Sequence, residues 1–509
     1  MAVIDFFDRG WRINRDGTAY VAGDERWTYD QAHRVSCRIA NALLRDGFGT
    51  GHQVAVLAAN DPLAWVCVLG IWRANAAFVP VNPRSAAGET GSILAEFDCE
   101  ALLYQKAFGP LVAALRGSLP AIRHWICIDA DDEGAIPLRT WIEGCADSAT
   151  EVAVDLDDVI SISPTGGTTG RPKGVMNTHR SFQTCIANLM IANPYRTDEH
   201  PVNLAAAPMT HTAGLSTMPV SARGGLVVIL TKPDPAALLD AIERHGVTEF
   251  FLPPTVIYGL LQFPDLTSRD LSSLRYLMYG AAPMAVEKLK EAIHAFGPVL
   301  TGFYGQSEAP LAIASLSAPA HGVSGDLSSD DVLSSVGPPL PLTRVVILDD
   351  DGQQVATDAT GEICVAGDLV MKGYYRAPGR TAETIIDGWL HTGDLGHVDG
   401  DGRLHITDRK KDMIITGGFN VYPSEIEQVV WSHPAVSDCA VIGIADDRWG
   451  EAVQAVVELK AGATVSAEEL IALCRDRLGP VKTPKSIRFI DMLPRSAAGK
   501  VLKKDLRAN

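Results

Sequence analysis

Hydrophobic and polar positions along the chain alternate between short apolar runs and stretches of helical spacing. The apolar runs predict buried strands, which lie at 225–230, 247–252 and 274–279. Apolar residues at helical spacing predict helices at 235–245 and 286–296, ended by Gly246 and Gly297 respectively. This repeat of strand and helix predicts parallel sheets that are covered by helices.

The pattern changes twice toward the C-terminus. After residue 338, short alternating strands such as 344–348 and 362–365 meet Asp/Gly turns, which indicates a small β subdomain. Near residue 410 a compact α+β unit begins, in which Ser424 and Glu427 have the spacing of a capping box. We therefore expect an α/β fold: a large N-terminal domain, residues 1–410, of helix-covered, mostly parallel sheets plus the β subdomain, followed by a small α+β C-terminal domain, residues 411–509.

Composition places the chain among globular proteins. It has 509 residues, of which 47% are hydrophobic and 21% are charged, and this length predicts more than one domain. No apolar run approaches the roughly 20 residues of a membrane span, and the N-terminus lacks a signal peptide. Nine cysteines are scattered singly, which favours reduced thiols in the core over disulfides or a zinc site. We expect a cytoplasmic protein without a transmembrane segment.

Charge is unevenly distributed. The net charge of −17 argues against a nucleic-acid partner. Residues 477–509 nevertheless carry nine Lys or Arg against two Asp. This segment is either a solvated basic tail or a piece of chain that approaches an anion held elsewhere.

A glycine-rich stretch, SPTGGTTGRPKGV at 163–175, follows the apolar run 159–162. A strand, a Gly/Thr-rich loop and a helix beginning near Thr178 predict a site where backbone N–H groups and hydroxyls surround a phosphate. The Walker pattern is excluded, because Gly170 is followed by Arg-Pro-Lys. A tight structural connection is the alternative interpretation.

The same stretch resembles the signature loop of the adenylate-forming enzymes, the superfamily of acyl-CoA synthetases, peptide-synthetase adenylation domains and luciferases. Further motifs similar to that family's follow in its order: YGQSE at 304–308, GWLHTGD at 388–394, the run 402–427, and PRSAAGK at 494–500. Together these motifs span almost the whole chain, and their order makes the resemblance specific.

The resemblance implies that a carboxylate attacks the α-phosphate of ATP and that pyrophosphate leaves. The implied ligands of the departing phosphates are Thr165, Gly166, Gly167, Thr168, Thr169 and Lys173. Glu308 is the implied Mg²⁺ ligand and Ser307 the implied α-phosphate contact, a carboxylate and a hydroxyl that suit these partners. The alternative for Glu308 is an ordinary surface carboxylate.

The nucleoside contacts are implied in the same way. Tyr304, between Phe303 and Gly305, is the implied adenine neighbour, and Asp394 with Arg409 is the implied ribose site. Adenine-pocket residues are Gly280, Ala281 and Ala282. Without the resemblance, the aspartate is equally typical of a β-turn and the small residues of a strand-to-helix turn.

The small domain is implied to be mobile. Lys500 matches the catalytic lysine that bridges the acyl carboxylate and the α-phosphate, and Lys411 matches the hinge. Gly417 and Gly418 are implied to approach the pantetheine arm of coenzyme A after rotation. A solvated lysine and a plain hairpin turn are the structural alternatives.

The expected reaction joins a small-molecule carboxylic acid to coenzyme A with ATP and Mg²⁺. The implied acyl-pocket residues are mostly apolar: Phe182, 211–215, Leu252, 279–281, Phe303, Pro310 and Leu311. None is Lys or Arg, which favours an uncharged aryl or medium-length acyl group. His211 is either a pocket-gating residue or a satisfied core histidine.

Two other functions stay open, a free-standing adenylating enzyme that loads an acyl carrier protein and a degenerate nucleotide-binding module without catalysis. Because only nine residues follow Lys500, we expect no carrier domain within the chain. A homodimer also stays open.

Overall fold

A computed structural model describes residues 1–165, 172–210, 212–416, 419–446, 449–495 and 501–507. Within these residues, the alternating pattern builds two sheets of eight strands each. The first sheet has, in spatial order, the strands Gly373–Tyr374, Lys173–Thr178, Val159–Thr165, Ala77–Val81, Gln53–Leu57, Ala101–Tyr104, His124–Cys127 and Ile136–Pro137. The second has Ala309–Leu316, Leu300–Gln306, Tyr276–Tyr279, Glu249–Leu252, Val202–Ala205, Leu226–Ile229, Thr18–Ala22 and Glu25–Thr28.

Both sheets are parallel in their middle and antiparallel at one or both ends. In the second sheet, Leu300–Gln306 pairs in parallel with Tyr276–Tyr279 and antiparallel with Ala309–Leu316. Helices cover the sheets: Ile4–Ile13, Tyr29–Arg45, Pro62–Arg73, Ala87–Glu96, Gly109–Arg116, Leu138–Trp141, His179–Ala192, Thr212–Ser221, Pro235–His245, Pro254–Leu261, Val286–Phe296, Asp330–Ser334 and Pro378–Thr384. The predicted helix-covered, mostly parallel fold is confirmed.

The main core lies between the two large sheets. Along the strand Gln53–Leu57, Val54 and Val56 point into this core, while Ala55 and Leu57 point into a second core on the outer face. A separate core covers the outer face of the second sheet. Each sheet is therefore buried on both faces, which explains why its strands read as continuous apolar runs.

A third, antiparallel sheet packs against the same main core and forms the predicted β subdomain. Its strands are Arg344–Leu348, Gly361–Ala366, Trp389–Val398, Ile385–Ile386 and Leu404–Arg409. A short hairpin, Gly322–Val323 with Asp326–Leu327, precedes it.

The C-terminal unit has its own sheet and its own cores. Its strands are Phe419–Val421, Ile414–Thr416, Gly450–Leu459, Val436–Asp446 and Ser486–Phe489, and its helices are Pro423–Trp431, Ala467–Leu478 and Lys503–Arg507. The 3-10 turn Lys410–Asp412 joins this unit to the β subdomain. A domain boundary at 410/411 stays a prediction, and the last strand before it ends at Arg409.

Helix ends were predicted well where local signals define them. Pro235–His245 begins after Asp234, whose side chain accepts from the Ala237 amide, and ends at Gly246 in the left-handed region, with φ 61°. The helix Val286–Phe296 also has its predicted bounds. The three strands predicted in the second sheet are each two residues shorter than expected, because pairing rather than apolarity ends them. In the β subdomain, Arg344–Leu348 has its predicted bounds and Gly361–Ala366 extends one residue beyond each predicted end.

One local prediction is incomplete and one is wrong. The predicted helix near Thr178 is confirmed, because His179–Ala192 begins there with Thr178 as its N-cap. The strand Lys173–Thr178, which pairs antiparallel with Val159–Thr165 and lies between the glycine-rich loop and that helix, was not predicted. The loop therefore joins two strands of a hairpin. Ser424 and Glu427 form no capping box, because the helix Pro423–Trp431 begins one residue earlier and lacks a side-chain cap.

The basic segment at 477–509 is not a simple solvated tail. Several of its cations are ion-paired inside the small domain, namely Lys482 with Glu425, Arg495 with Asp438, Lys503 with Glu427 and Arg507 with Asp412. This part of the local positive charge therefore stabilises the domain.

The cysteines and helices agree with two further expectations. All nine cysteines lie in the described part of the chain, are free, and are buried apart from the partly buried Cys145. None of the described helices combines the length and the apolar character that crossing a bilayer requires.

Candidate active site

The site lies where parallel strands of the second sheet end. Tyr276–Tyr279 is followed by Gly280, Ala281 and Ala282, and Leu300–Gln306 is followed by Ser307 and Glu308. Ligands in open α/β sheets bind in the crevice beyond the carboxyl ends of the strands. The order of the chain thus brings two of the predicted motifs to one edge of the sheet.

Small residues allow the two strand ends to approach closely. A Cβ on Gly280 would lie 2.6 Å from the Phe303 carbonyl oxygen, and a Cβ on Gly305 would lie 2.6 Å from Leu311 Cα. Ala281 has φ 66°, an uncommon conformation for a residue with a side chain. The segment is a strand-to-helix turn, which was the structural alternative for these residues, and Ala281 and Ala282 are exposed.

The two residues of the predicted ribose site, Asp394 and Arg409, contact each other. Asp394 and Arg409 face each other on neighbouring antiparallel strands, and Arg409 Nε lies 2.9 Å from Asp394 Oδ1. The hydroxyl of Tyr304 donates to Asp394 Oδ2 at 2.7 Å. Burial, and then the Asp394 charge, raise the pKa of Tyr304 well above its ordinary value, so this phenol stays a donor.

This arrangement holds the Asp394 carboxylate in one orientation. Its side chain is only 5% exposed, and the Asp394 amide donates to Thr392 Oγ1 at 3.1 Å. A carboxylate has about four acceptor positions, so lone pairs remain for two hydroxyl donors. The two motifs that carry Tyr304 and Asp394, which lie 90 residues apart in sequence, therefore meet in one site.

A second group of side chains surrounds the ring of Tyr374. Its hydroxyl donates to Glu308 Oε1 at 2.8 Å, while Lys173 Nζ lies 5.3 Å from the ring centroid. Burial lowers the pKa of Lys173, the nearby Arg380 lowers it further, and Glu308 opposes the change. The predicted metal ligand and the predicted phosphate ligand thus contact the same aromatic side chain.

Tyr374 was missed by the sequence analysis. It lies on the short strand Gly373–Tyr374, which pairs with Val175 and Met176 at the edge of the first sheet. Nothing in the spacing of residues indicates that this strand places its side chain against Glu308, 66 positions earlier. Only the pairing of distant strands brings the two together.

The remaining predicted residues have simpler surroundings. Thr165 is opposite Lys173 in the hairpin and its Oγ1 donates to the Lys173 carbonyl at 3.5 Å. The Ser307 carbonyl accepts from Asn177 Nδ2 at 3.3 Å, and Phe303 is buried. Lys411 lies in the 3-10 turn between the β subdomain and the C-terminal sheet. The predicted residues outside the described part of the chain are Gly166, Gly167, Thr168, Thr169, His211, Gly417, Gly418 and Lys500.

Among the described residues, one further cluster has the geometry of a metal site, formed by Asp331, Asp399 and His405. Arg403 Nε lies 2.8 Å from Asp399 Oδ2, and His405 Nε2 lies 3.0 Å from the same oxygen. The guanidinium already neutralises this carboxylate. The cluster is therefore a structural turn network, and the role of Glu308 as a metal ligand stays a prediction.

Comparison with known proteins agrees with these motifs. Residues 7–375 match the AMP-binding enzyme family, and residues 425–500 match the AMP-binding enzyme C-terminal domain. Feruloyl-CoA synthase from Amycolatopsis sp is 36% identical over 498 residues, which are 97% of this chain and 96% of that protein. Medium/long-chain-fatty-acid–CoA ligase FadD8 from Mycobacterium tuberculosis is 37% identical over 507 residues, 96% of this chain and 86% of that protein.

A solved structure extends the agreement to the fold. Amide bond synthetase McbA from Marinactinospora thermotolerans superposes with a TM-score of 0.90 at 31% identity, over 99% of both chains. The first matched region contains Tyr304 and Glu308, and the second contains most of the small C-terminal unit. The chain therefore belongs to the AMP-binding enzyme family, within the adenylate-forming superfamily that its motifs resemble.

Proposed function

We propose that this protein is an ATP-dependent acyl-CoA synthetase. In the first step a carboxylate oxygen of the acid attacks the α-phosphorus of ATP, the bond to the β-phosphate oxygen breaks, and pyrophosphate leaves. In the second step the thiol of coenzyme A attacks the acyl carbonyl and AMP leaves. The observation that carries the proposal is the buried Asp394, held by Tyr304 and Arg409, together with the group formed by Glu308, Tyr374 and Lys173.

Each residue has a part in positioning ATP. Asp394 accepts hydrogen bonds from the ribose hydroxyls, with its orientation held by Tyr304 and Arg409. Thr165 and Lys173, with residues 166–169, hold the leaving phosphates, and Ser307 contacts the α-phosphate. Positioning and charge neutralisation of this kind are the main contributions to phosphoryl and adenylyl transfer.

The surroundings of Glu308 suit Mg²⁺. One carboxylate oxygen accepts from Tyr374, whereas Oε2 has no hydrogen-bond partner among the described residues. Oxygen ligands from a carboxylate and from phosphates are those that Mg²⁺ prefers, and a bound ion would neutralise charge on the phosphates. Glu308 is therefore the proposed metal ligand.

In this proposal Lys500 acts in the first step, and Lys411 allows the rotation that precedes the second step. Lys500 contacts the carboxylate and the α-phosphate during adenylation, and Lys411 is the hinge about which the small domain, residues 411–509, turns. After the turn, Gly417 and Gly418 approach the pantetheine arm. The position of Lys411 in a short turn between two sheets supports this assignment, because such turns absorb changes in backbone angles.

The proposed substrate is an uncharged aryl or medium-length acyl monocarboxylate. Tyr279 and Phe303 are buried at the strand ends that lead into the crevice. The Tyr279 hydroxyl lies 2.9 Å from His321 Nε2, and burial lowers the pKa of His321 to about 4, so this histidine carries no charge at neutral pH. A second carboxylate on the substrate thus has no cation among these residues to pair with.

A panel of acids tests the proposal. Pyrophosphate release is measured with hydroxycinnamates, other aryl acids, saturated acids of about six to twelve carbons, malonate and succinate. We expect release that depends on an aryl or medium-chain monocarboxylate. ATP binding without any acid-dependent release would instead support a degenerate nucleotide-binding module, and higher turnover of malonate or succinate would contradict the apolar pocket.

The acceptor is tested separately, because the similar McbA structure is an amide bond synthetase. Preformed acyl-adenylate is supplied with coenzyme A, with a phosphopantetheinylated carrier protein, or with a primary amine. Rapid thioester formation with coenzyme A is the expected result. Faster transfer to the carrier protein or to the amine would replace the synthetase assignment with that of an acyl-loading or amide-forming enzyme.

A further inference from the structure

A cleft of about 420 Å³ is lined in part by Tyr374. It is bounded by the hairpin end at Pro172–Gly174, by the end of the helix Ala87–Glu96, and by the helix Pro378–Thr384. Lys173 and Tyr374 line this cleft, and both also belong to the group of side chains that contains Glu308. The cleft is therefore next to the residues proposed to hold the leaving phosphates.

The charged residues that line this cleft are the cations Lys173, Arg376 and Arg380 and the carboxylate Glu96. Arg376 lies at its rim and is ion-paired with Asp98 at 2.8 Å. Lys173 and Arg380 have no ion-pair partner among the described residues, although Arg380 is close enough to lower the pKa of Lys173 by repulsion. Glu308 and Glu383 offset part of this repulsion without forming a contact. Two neighbouring cations that lack paired carboxylates provide a favourable place for an anion with more than one negative charge.

The chemistry of the two side chains specifies the anion. A guanidinium presents a planar set of donors that matches two phosphate oxygens, whereas an ammonium acts as a point charge. Lys173 lines the cleft from the hairpin, and Arg380 lines it from the helix Pro378–Thr384. A pyrophosphate group has oxygens for both side chains at once.

We propose that Arg380, together with Lys173, forms a binding site for the pyrophosphate group, either as the terminal part of ATP or as the released product. This inference rests on the proposed function, in which pyrophosphate is the leaving group. Arg380 belongs to no motif on which the family resemblance depends. In this proposal its guanidinium binds the phosphates at the cleft that it lines with Lys173.

Calorimetric titration of pyrophosphate tests this site directly. The full-length protein is titrated with Mg²⁺ present and without acid, ATP or coenzyme A, using wild type, Arg380→Gln and the matched control Arg376→Gln. The control removes an arginine from the rim of the same cleft, one that is already paired with Asp98. We expect pyrophosphate affinity to fall about 10-fold or more in Arg380→Gln, the size of one lost charged hydrogen bond, and to change less than about threefold in the control. Equal changes in both variants, or unchanged affinity in Arg380→Gln, would overturn the proposal.

Further titrations separate the sources of the phosphate group. If Arg380→Gln weakens the binding of both a non-hydrolysable ATP analogue and pyrophosphate, Arg380 binds the terminal phosphates of ATP before the reaction. If the variant weakens the binding of pyrophosphate alone, Arg380 acts after pyrophosphate is released. AMP binding should be unchanged in Arg380→Gln, and a matching loss of AMP affinity would refute a site specific for pyrophosphate. Arg380→Lys, which keeps the charge and loses the planar donor pair, should give an intermediate affinity.

The result is independent of the acid panel. If no acid supports pyrophosphate release but pyrophosphate binding still depends on Arg380, the proposed function fails and the anion site stands. If the panel succeeds but Arg380→Gln binds pyrophosphate like wild type, the synthetase stands and this inference fails.

Discussion

Lys503 provides a stringent test of the energetics of the small domain. Its Nζ lies 2.8 Å from Glu427 Oε1, and the two side chains are 18% and 9% exposed. Glu427 Oε1 also accepts from the Val441 amide at 2.8 Å. Asp408, at the end of the last strand of the β subdomain, accepts from the Ser424 amide at 2.8 Å and is attracted to Lys503. One cation therefore compensates two buried carboxylates.

Replacing Lys503 by Ala should cost about 3–5 kcal/mol of local stability, the usual cost of removing one partner of a buried ion pair. Burial raises the pKa of Glu427 and of Asp408, and Lys503 opposes both changes. Without Lys503 the pKa of each carboxyl should rise further. Because a raised pKa in the folded state makes protonation favour folding, the deficit of the variant should shrink as pH falls from about 8 to about 5.

Hydrogen exchange read by mass spectrometry measures this local free energy. Peptides from the strand Val436–Asp446 report opening of the C-terminal sheet. Lys504→Ala is the matched control, because Lys504 is the exposed neighbour on the same helix. We expect Lys503→Ala to lose protection against hydrogen exchange and Lys504→Ala to keep it. Combining Lys503→Met with Glu427→Gln should restore part of this protection. Equal protection in the two alanine variants, or a deficit that grows on acidification, would refute this account of the cluster.

Three further predictions concern the large domain and the division of the reaction. Asp394→Asn should raise the KM for ATP in ATP–pyrophosphate exchange by about 10- to 100-fold, since the amide loses charged hydrogen bonds to the ribose; an unchanged KM would remove Asp394 from the nucleotide site. Burial raises the pKa of Asp8, but hydrogen bonds from His33 and Arg73 outweigh it and hold this pKa at about 2, below its ordinary 3.8. The Asp8 carboxylate therefore contributes about 2 kcal/mol to the free energy of unfolding at neutral pH. This contribution is lost as pH falls from about 4 to about 2. Urea denaturation of Asp8→Asn should therefore show lower stability at pH near 7 and a smaller loss on acidification, and an acid dependence like that of wild type would contradict it. Lys500→Ala should slow adenylation by about 100- to 1000-fold and spare the thioester step, whereas Lys411→Pro should do the reverse by fixing φ at the hinge; equal losses in both steps would exclude domain alternation.

Local signals in the sequence were sufficient wherever the interaction itself is local. The helix Pro235–His245 was predicted to the residue, because its Asp cap and its C-terminal glycine act within one turn. The motifs containing Tyr304, Glu308 and Asp394 were also found without a structure, since each is a contiguous run with a characteristic order.

Other features depend on partners that are distant in sequence. The helix that begins near Thr178 was predicted, but the strand Lys173–Thr178 before it was not, because that strand forms only where Val159–Thr165 offers it a row of hydrogen bonds. Glu427 has the spacing of a capping residue, and yet burial and the charge of Lys503 give it another role. Spacing along the chain carries no information about either partner.

By itself, therefore, the sequence determined the alternation of strands and helices, the helix ends, the order of the motifs and their resemblance to adenylate-forming enzymes. Only the tertiary structure decided that Tyr304 holds Asp394, that Tyr374 links Glu308 to Lys173, and that Arg380 faces the same cleft. The physical reason is that caps, turns and hydrophobic periods arise from neighbours within a few residues. Strand pairing and the burial of charge, in contrast, join residues tens to hundreds of positions apart, and no local pattern specifies which of them meet.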